Sequence, residues 1–465
     1  MNPPSETNKT VIQPGSFRDP SGFVFFYEGR LYRQVNKIYR KHYDALFSSG
    51  LYDRLVKMQL IIKHRETAAV PSPAPASCYR IIEPEPVPFI SYPYEWCFSQ
   101  LRDAALATLR VQMAALGHGL ILKDASAYNI QFRSGRPVLI DTLSFEIYRA
   151  GEAWSAYRQF CQHFLAPLAL MAYTDPRLNK LARIHIDGVP LDLASALLPR
   201  RTYLSFSLLT HLHLHAASQK RYARKTAAIK KRPLSPKALN ALIANLQSAV
   251  RKLKRPNQPT EWGDYYENTN YSPAAQNEKK QIIASFLDEI RPQTVWDLGA
   301  NTGYYSRLAS ARGAQTVAFD IDLRAVEANY RQMQDAREKN LLPLTLDLTN
   351  PSPALGWAHR ERLSLKERGP ADLVMALALV HHLAIANNLP FAAIARFFQE
   401  LAPGLIIEFV PKDDSNAQKL LSARPDIFDR YTRPDFEAEF GRYYQIVKAE
   451  KIKNSGRILY LMTKK

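Results

Sequence analysis

TVWDLGANTGYYSRLASARGAQTVAFDID, Thr294 to Asp322, decides the fold of the C-terminal half. Val295 and Trp296 run apolar into Asp297, as a strand entering a turn does. LGANTG follows, with Gly299 and Gly303 bracketing the turn. Tyr304 to Arg312 has helical spacing, and Gly313 stands where a helix closes on a left-handed residue. Thr316 to Phe319 is a short apolar strand ending on Asp320. The unit reads strand, tight turn, helix, strand.

Such a unit suits a nucleotide-like ligand. Glycine lets the backbone turn sharply and approach a ligand closely. The first N–H groups of the following helix can meet a carboxylate or phosphate. An acid ending the next strand, roughly 20 residues on, can hold a ribose hydroxyl pair. The pattern is D-x-G-x-x-x-G rather than G-x-G-x-x-G, which fits a dinucleotide pyrophosphate poorly. No G-x-x-x-x-G-K-[ST] phosphate loop occurs. The stretch resembles the first motif of class I S-adenosylmethionine-dependent methyltransferases.

Downstream residues extend the resemblance in order. Residues 275 to 290 form a helix ahead of the first strand, and 323 to 338 follow the second. Leu342 to Leu346 is a third strand ending at Asp347. Ala371 to Leu379 is nearly all apolar, as a strand buried on both faces should be. It runs into Val380-His381-His382-Leu383, at the edge where open α/β sheets place ligands. A helix over Phe391 to Leu401, a strand over Leu405 to Phe409 and a final pair, Tyr444 to Lys448 with Ile458 to Met462, complete the pattern. The resemblance covers residues 261 to 465 and implies a Rossmann-like, seven-stranded sheet. It implies S-adenosylmethionine held by Asp297, Gly299, Asn301 and Gly303 at the turn, with Asp320 on the ribose. Asp347 and Leu348 would then meet the adenine, with Tyr271 in a segment folding over the cofactor. The whole layout resembles bacterial nodulation or host-specificity methyltransferase-like proteins.

The residues after the fourth strand select the chemistry in that superfamily. N-P-P-Y, D-P-P-Y and the Cys pair of cytosine C5 chemistry are absent. His-His-Leu resembles members that use O or N acceptors, so His381 and His382 are the candidate catalytic residues. An imidazole titrates near neutrality and can take an acceptor proton. The alternative is that the two histidines only line the pocket.

At 465 residues the chain exceeds one ordinary core, so more than one domain is expected. Hydrophobic residues make up 46% and charged residues 23%, both globular values. The net charge of +19 points to an acidic partner: RNA, an anionic membrane surface or an anionic substrate. Cys78, Cys97 and Cys161 are odd in number and widely spaced, which fits a reducing compartment and no metal centre. The N-terminus shows no signal-peptide pattern, and Phe164 to Tyr173 is too short to span a bilayer. A cytoplasmic protein without a transmembrane segment is expected.

The N-terminal half reads as α+β. Residues 1 to 20 are polar and proline-bearing, a flexible tail. GFVFFYEGRLYRQV is a hairpin about Glu28-Gly29, and residues 99 to 116 are helical. Leu120 to Glu146, LILKDASAYNIQFRSGRPVLIDTLSFE, carries Asp124, then Asn129, then a turn at Ser134-Gly135 and a strand ending on Asp141. D-x-x-x-x-N, strand, turn, strand, D resembles the catalytic and metal-binding loops of protein kinase-like phosphotransferases. That implies Asp124 as base, with Asn129 and Asp141 toward Mg-ATP. Asp141-Thr142-Leu143 stands in place of D-F-G, and Lys57 and Lys63 are both candidates for the strand lysine. His211, His213 and His215 alternate within a helical composition and read as packing or surface histidines, not as a metal row.

The expected layout is therefore a tail over 1–20, an α+β, kinase-like domain over 21–215, a basic helical linker over 216–260, and a methyltransferase domain over 261–465. The expected function is S-adenosylmethionine-dependent transfer to an O or N acceptor, which could be a small molecule, a glycolipid or RNA. The alternatives are a kinase-like phosphotransferase or nucleotide-binding pseudokinase fused to that domain, or a basic RNA- or membrane-binding adaptor acting through the linker.

Overall fold

The structure, a computed structural model, describes residues 10–218, 234–255, 272–422 and 425–465. It divides into two compact units, residues 3–258 with 355–362, and residues 259–354 with 363–465.

The first unit is built on a five-stranded antiparallel sheet. Its strands are β1 (Val11–Ile12), β2 (Gly22–Tyr27), β3 (Arg30–Asn36), β4 (His64–Glu66) and β5 (Cys78–Pro84), in the order β1-β2-β3-β5-β4. The β2–β3 turn places Glu28 and Gly29 at φ 48° and 75°, a left-handed pair that matches strand twist. Alternation then sends Phe25, Tyr32 and Ile81 to one face, and Val35 and Ile82 to the other with Tyr39, Tyr43 and Leu143. Helices Arg40–Ser48 and Leu51–Lys57 lie between β3 and β4 in the chain. Residues 10–20, expected as tail, carry β1 and bond into the unit: Gln13 N–H donates to Val24 O at 2.9 Å. Residues 1–9 lie outside the described residues.

The helix Phe98–Gly117 follows, burying Leu101, Ala104, Ala105, Leu109 and Val111. Then come β6 (Leu120–Leu122), the hairpin of β7 (Ile130–Arg133) and β8 (Arg136–Leu139), and β9 (Phe145–Ile147), which pairs antiparallel with β6. Met58 to Ile62 forms no strand. Only a bridge between Ile61 and Leu139 occurs there. Helix Pro236–Lys252, expected within a linker, is part of this unit. It buries Leu239, Ile243, Leu246 and Val250 and packs against Phe98–Gly117. An i, i+4, i+7 apolar stripe needs such a partner surface. The most basic run, 219–233, lies outside the described residues.

The second unit holds a seven-stranded sheet of β10 (Thr294–Leu298), β11 (Gln315–Asp320), β12 (Leu341–Thr345), β13 (Leu373–Ala376), β14 (Gly404–Phe409), β15 (Tyr444–Lys451) and β16 (Ile458–Lys464). The order is β12-β11-β10-β13-β14-β16-β15. The first five are parallel, and β16 is inserted antiparallel between β14 and β15. Chain order reverses between β10 and β13, which opens a crevice at the carboxyl ends of those strands. Every residue of β13 and β14 is buried, and Val295, Met375, Ile406 and Leu461 share a core with Ile283, Phe286 and Leu287 of helix Pro273–Ile290.

Candidate functional site

A cavity of about 250 Å³ opens at that crevice. Asp297 lies near the end of β10 and Gly299, Ala300 and Asn301 follow it, Asp320 ends β11, Asp347 and Leu348 follow β12, and Ala378, Leu379 and His382 follow β13. The parallel register brings these segments, far apart in sequence, to one edge.

The turn after β10 is shaped by its backbone. Gly299 sits at φ 78° and Asn301 at φ 50°. Gly299 and Ala300 both donate their N–H groups to Phe319 O at 2.9 Å, which ties the turn to β11. A side chain at Gly299 would meet Leu379 at 3.2 Å, so the glycine keeps this wall of the cavity open. Gly303 plays another part. It does not line the cavity, and a Cβ there would stand 2.5 Å from the Asn329 amide. Its smallness lets the turn pack on helix Leu323–Asp335 rather than admit a ligand.

The acids differ in environment. Asp320 accepts N–H bonds from Asn301 at 2.7 Å and Asp322 at 2.8 Å, which fixes its carboxylate at the cavity. Burial pushes Asp320 up to about 6 despite these bonds. Asp297 accepts from the Ser306 hydroxyl at 2.6 Å, and burial raises it to about 7. Asp347 is half-buried and accepts from Thr349 N–H and Oγ1 at 2.9 and 2.6 Å.

His382 lines the cavity and His381 does not. The two rings lie 4.1 Å apart at 41°. His381 is buried, with no hydrogen-bond partner on either ring nitrogen among the described residues. Burial lowers His381 well below the ordinary imidazole value, and His382 to about 4. Both rings are therefore neutral at neutral pH. Tyr271 lies outside the described residues.

Beneath the cavity is a buried ionic network that the motif pattern does not announce. Lys279 of helix Pro273–Ile290 borders the cavity and donates to Glu408 of β14 at 2.6 Å, above the Tyr305 ring at 4.7 Å. Glu408 also accepts the Ala378 N–H at 2.7 Å. Arg457 lies 3.7 Å from Glu408 and grips Asp414 through two bonds of 2.7 and 3.0 Å. Burial lowers the Lys279 pKa, and Glu408 opposes that shift. Two sequence signals point there. One is a lysine on a helix face otherwise carrying Ala275, Ile283 and Leu287; the other is a glutamate inside GLIIEF.

In the first unit, Asp124 and Asn129 sit between β6 and β7, and Asp141 between β8 and β9. Asp124 accepts the Ser126 N–H at 2.9 Å, and burial raises its pKa. Asn129 Nδ2 donates to Ser144 Oγ at 3.4 Å. Asp141 is ion-paired with Arg33 of β3 at 2.5 Å and accepts the Leu143 N–H. Burial favours its neutral form, yet Arg33 and that N–H leave it below the ordinary carboxylate value. The strand cation is thus Arg33, whereas Lys57 ends a helix and Lys63 precedes β4. Among the described residues, no group of three or more His, Cys, Asp or Glu is placed to hold a metal ion, and no helix is long and apolar enough to cross a membrane.

The strand order of the second unit is that of the class I methyltransferase sheet implied by the motifs. No family model matches the chain. Among solved structures, magnesium protoporphyrin IX methyltransferase ChlM from Synechocystis PCC 6803, with bound SAH, is similar at 18% identity, over 41% of this chain and 84% of that one, with a TM-score of 0.31. The bifunctional kinase-methyltransferase WbdD is similar at 15% identity, over 46% of this chain and 45% of that one, with a TM-score of 0.29. At these scores the likeness is partial, and the fold assignment rests on strand order and register. Nodulation protein NoeA of Rhizobium meliloti (strain 1021) is 37% identical over 459 residues, covering 96% of this chain and 94% of that protein. With that identity carried along nearly its whole length, the chain belongs to the family of nodulation protein NoeA.

Proposed function

We propose that the chain is a cytoplasmic S-adenosylmethionine-dependent methyltransferase acting on an O or N acceptor: a small molecule, a glycolipid or RNA. One observation carries the reading: Asp297, Asp320, Asp347 and His382 lie at or near the carboxyl ends of four adjacent parallel strands and line a single cavity. The residues fit the cofactor. Asp320 offers a fixed, buried carboxylate for a hydroxyl pair, and Ile321, Leu346 and Leu348 offer apolar walls for a ring. Gly299 and Asn301 leave room beside Asp297 for the amino-acid part. When bound, the cofactor supplies a methyl group activated by a sulfonium. The protein's own work is then positioning and exclusion of water.

His382 is the residue placed to meet an acceptor proton. A neutral imidazole with a pKa near 4 is a weak base. It suits an acceptor that ionises readily or a nitrogen that loses its proton after transfer, rather than an alkyl hydroxyl. An anionic acceptor or partner would also suit the basic segment 216–260. Incubating the protein with tritiated-methyl cofactor and fractionated lysate tests the activity. Label in one acceptor class, lost in Asp320→Ala, is expected; no label in any fraction would overturn it.

A second reading concerns the first unit, as a kinase-like nucleotide site. The strand order β1-β2-β3-β5-β4 favours it, as does the placing of Asp124, Asn129 and Asp141 about one hairpin. Asp141 is already neutralised by Arg33, so Mg-ATP would have to break that pair. A melting shift with Mg-ATP that disappears in Asp141→Ala supports this reading. No shift at millimolar nucleotide leaves the unit a scaffold.

A further inference from the structure

The β10–β13 cavity carries a charge pair. Among the described residues that line it, Lys279 is the only Lys or Arg, against three carboxylates, Asp297, Asp320 and Asp347. Lys279 and Asp297 are close enough that each favours the other's charged form. Asp320 is committed to the Asn301 and Asp322 N–H groups, and Asp347 to Thr349. A fixed ammonium near a carboxylate is the electrostatic complement of an α-amino acid zwitterion.

The ammonium sits where its surroundings alone would disfavour it. Lys279 is 2% exposed, and its helix neighbours one turn either way, Ala275 and Ile283, are core residues. It donates to Glu408 at 2.6 Å, and the Tyr305 ring centre lies 4.7 Å from its nitrogen. Arg457 joins Glu408 to Asp414, so Lys279 and Arg457 balance Glu408 and Asp414 and the network is neutral. Stability does not call for such an arrangement, because apolar side chains of similar volume do as well without desolvating charges. Its effect is to hold a charged ammonium at a set place on the cavity wall. Gln276, three residues earlier on the same helix, lines the same cavity and brings a side-chain amide.

We propose that Lys279 receives the carboxylate of the cofactor's amino-acid end and thereby selects cofactors that carry it. The inference rests on the methyltransferase reading above and concerns the one charge of that cofactor that the cavity's acids cannot serve. S-adenosylmethionine bears a sulfonium, an ammonium and a carboxylate. Asp297, Asp320 and Asp347 suit the two cations and the hydroxyls, and they repel the carboxylate, whereas Lys279 attracts it. In so buried a place that attraction is little screened. Glu408 is a positioning residue: it keeps the ammonium charged and in place.

Titration calorimetry of the full chain tests this with S-adenosylmethionine and decarboxylated S-adenosylmethionine, which differ by the carboxylate alone. The parent should bind the first at least about tenfold more tightly. Lys279→Met/Glu408→Gln removes the cation without stranding its partner and leaves the network's net charge unchanged. In this variant the two ligands should bind within about twofold of each other, the decarboxylated one as tightly as in the parent. A parent that binds both ligands equally overturns the inference, with no variant needed, and leaves the methyltransferase reading standing. A double variant that keeps the parent's preference overturns it. So does one that melts cooperatively yet loses both ligands alike, since the pair then shapes the cavity and does not read the carboxylate. A parent that binds neither ligand overturns the methyltransferase reading itself, and this inference with it.

Discussion

Asp297 and Asp320 carry a pH response that follows from their surroundings. Burial raises them to about 7 and about 6, against about 4 in an unfolded chain. The folded protein thus holds these protons more tightly. Their stabilising contribution is full below about pH 4 and is lost as pH rises through about 6 to 7. His381 and His382 act oppositely: burial lowers both, so their contribution is present above about pH 6.5 and is lost as pH falls below it, for His382 through about 4. Asp297→Asn separates the two. Denaturant unfolding should show the variant gaining stability relative to the parent between about pH 5 and about pH 8. A pH-independent difference would mean that Asp297 is ionised throughout. Gly303 gives a second residue-scale expectation. Its φ of 76° and its approach to Asn329 make Gly303→Ala destabilising by about 1–2 kcal/mol in chemical denaturation. Gly313→Ala, at φ 92° with open space around it, should cost less, because it meets backbone strain without the contact.

At the scale of elements, helix Pro273–Ile290 and β14 meet through one buried ion pair. Taking away one member of such a pair leaves a desolvated charge, which costs more than the pair contributes. Lys279→Met should therefore lower stability by on the order of 3 kcal/mol in urea unfolding. Adding Glu408→Gln should return part of that loss, since the stranded charge is gone. Strict additivity of the two changes would contradict the pairing. The network also anchors the cavity wall, because Glu408 holds the Ala378 N–H, and Ala378 stands at φ 48°. Helices and strands of this unit were legible in the sequence where glycine and apolar period punctuate the chain, as at Phe391–Leu401. The ion pair was not, because a pairing between residues 279 and 408 depends on strand order and helix rotation rather than on local pattern.

For the molecule as a whole, legibility differs between the units. The motif at Thr294–Asp322 and the terminal pair, Tyr444 to Lys448 with Ile458 to Met462, suffice in sequence to imply the seven-stranded sheet. Gly303 and His381 fell away from the cavity because sequence places a residue on a turn but not on a side of it. In the first unit the turn expected at Ser134-Gly135 joins β7 and β8 in a hairpin. β1 was missed because two residues, Val11–Ile12, are too few to show a period. Arg33 was missed because its partner lies more than a hundred residues away. The segment Leu355–Arg362 lies between β12 and β13 in the chain, yet it belongs to the first unit: Arg18 and Glu361 pair at 2.7 Å, and Arg362 lies 4.1 Å from the Tyr128 ring centre.

In the function proposed above, the β10–β13 crevice holds S-adenosylmethionine. Titration calorimetry of the full chain with S-adenosylmethionine tests it directly. A dissociation constant on the order of 10 µM is expected for the parent protein. Gly299→Val, which places a side chain against Leu379, and Asp320→Ala, which removes the fixed carboxylate, should abolish the heat of binding while each variant keeps a cooperative melt. A parent protein that gives no binding heat and no melting shift with the cofactor would contradict cofactor binding at this crevice.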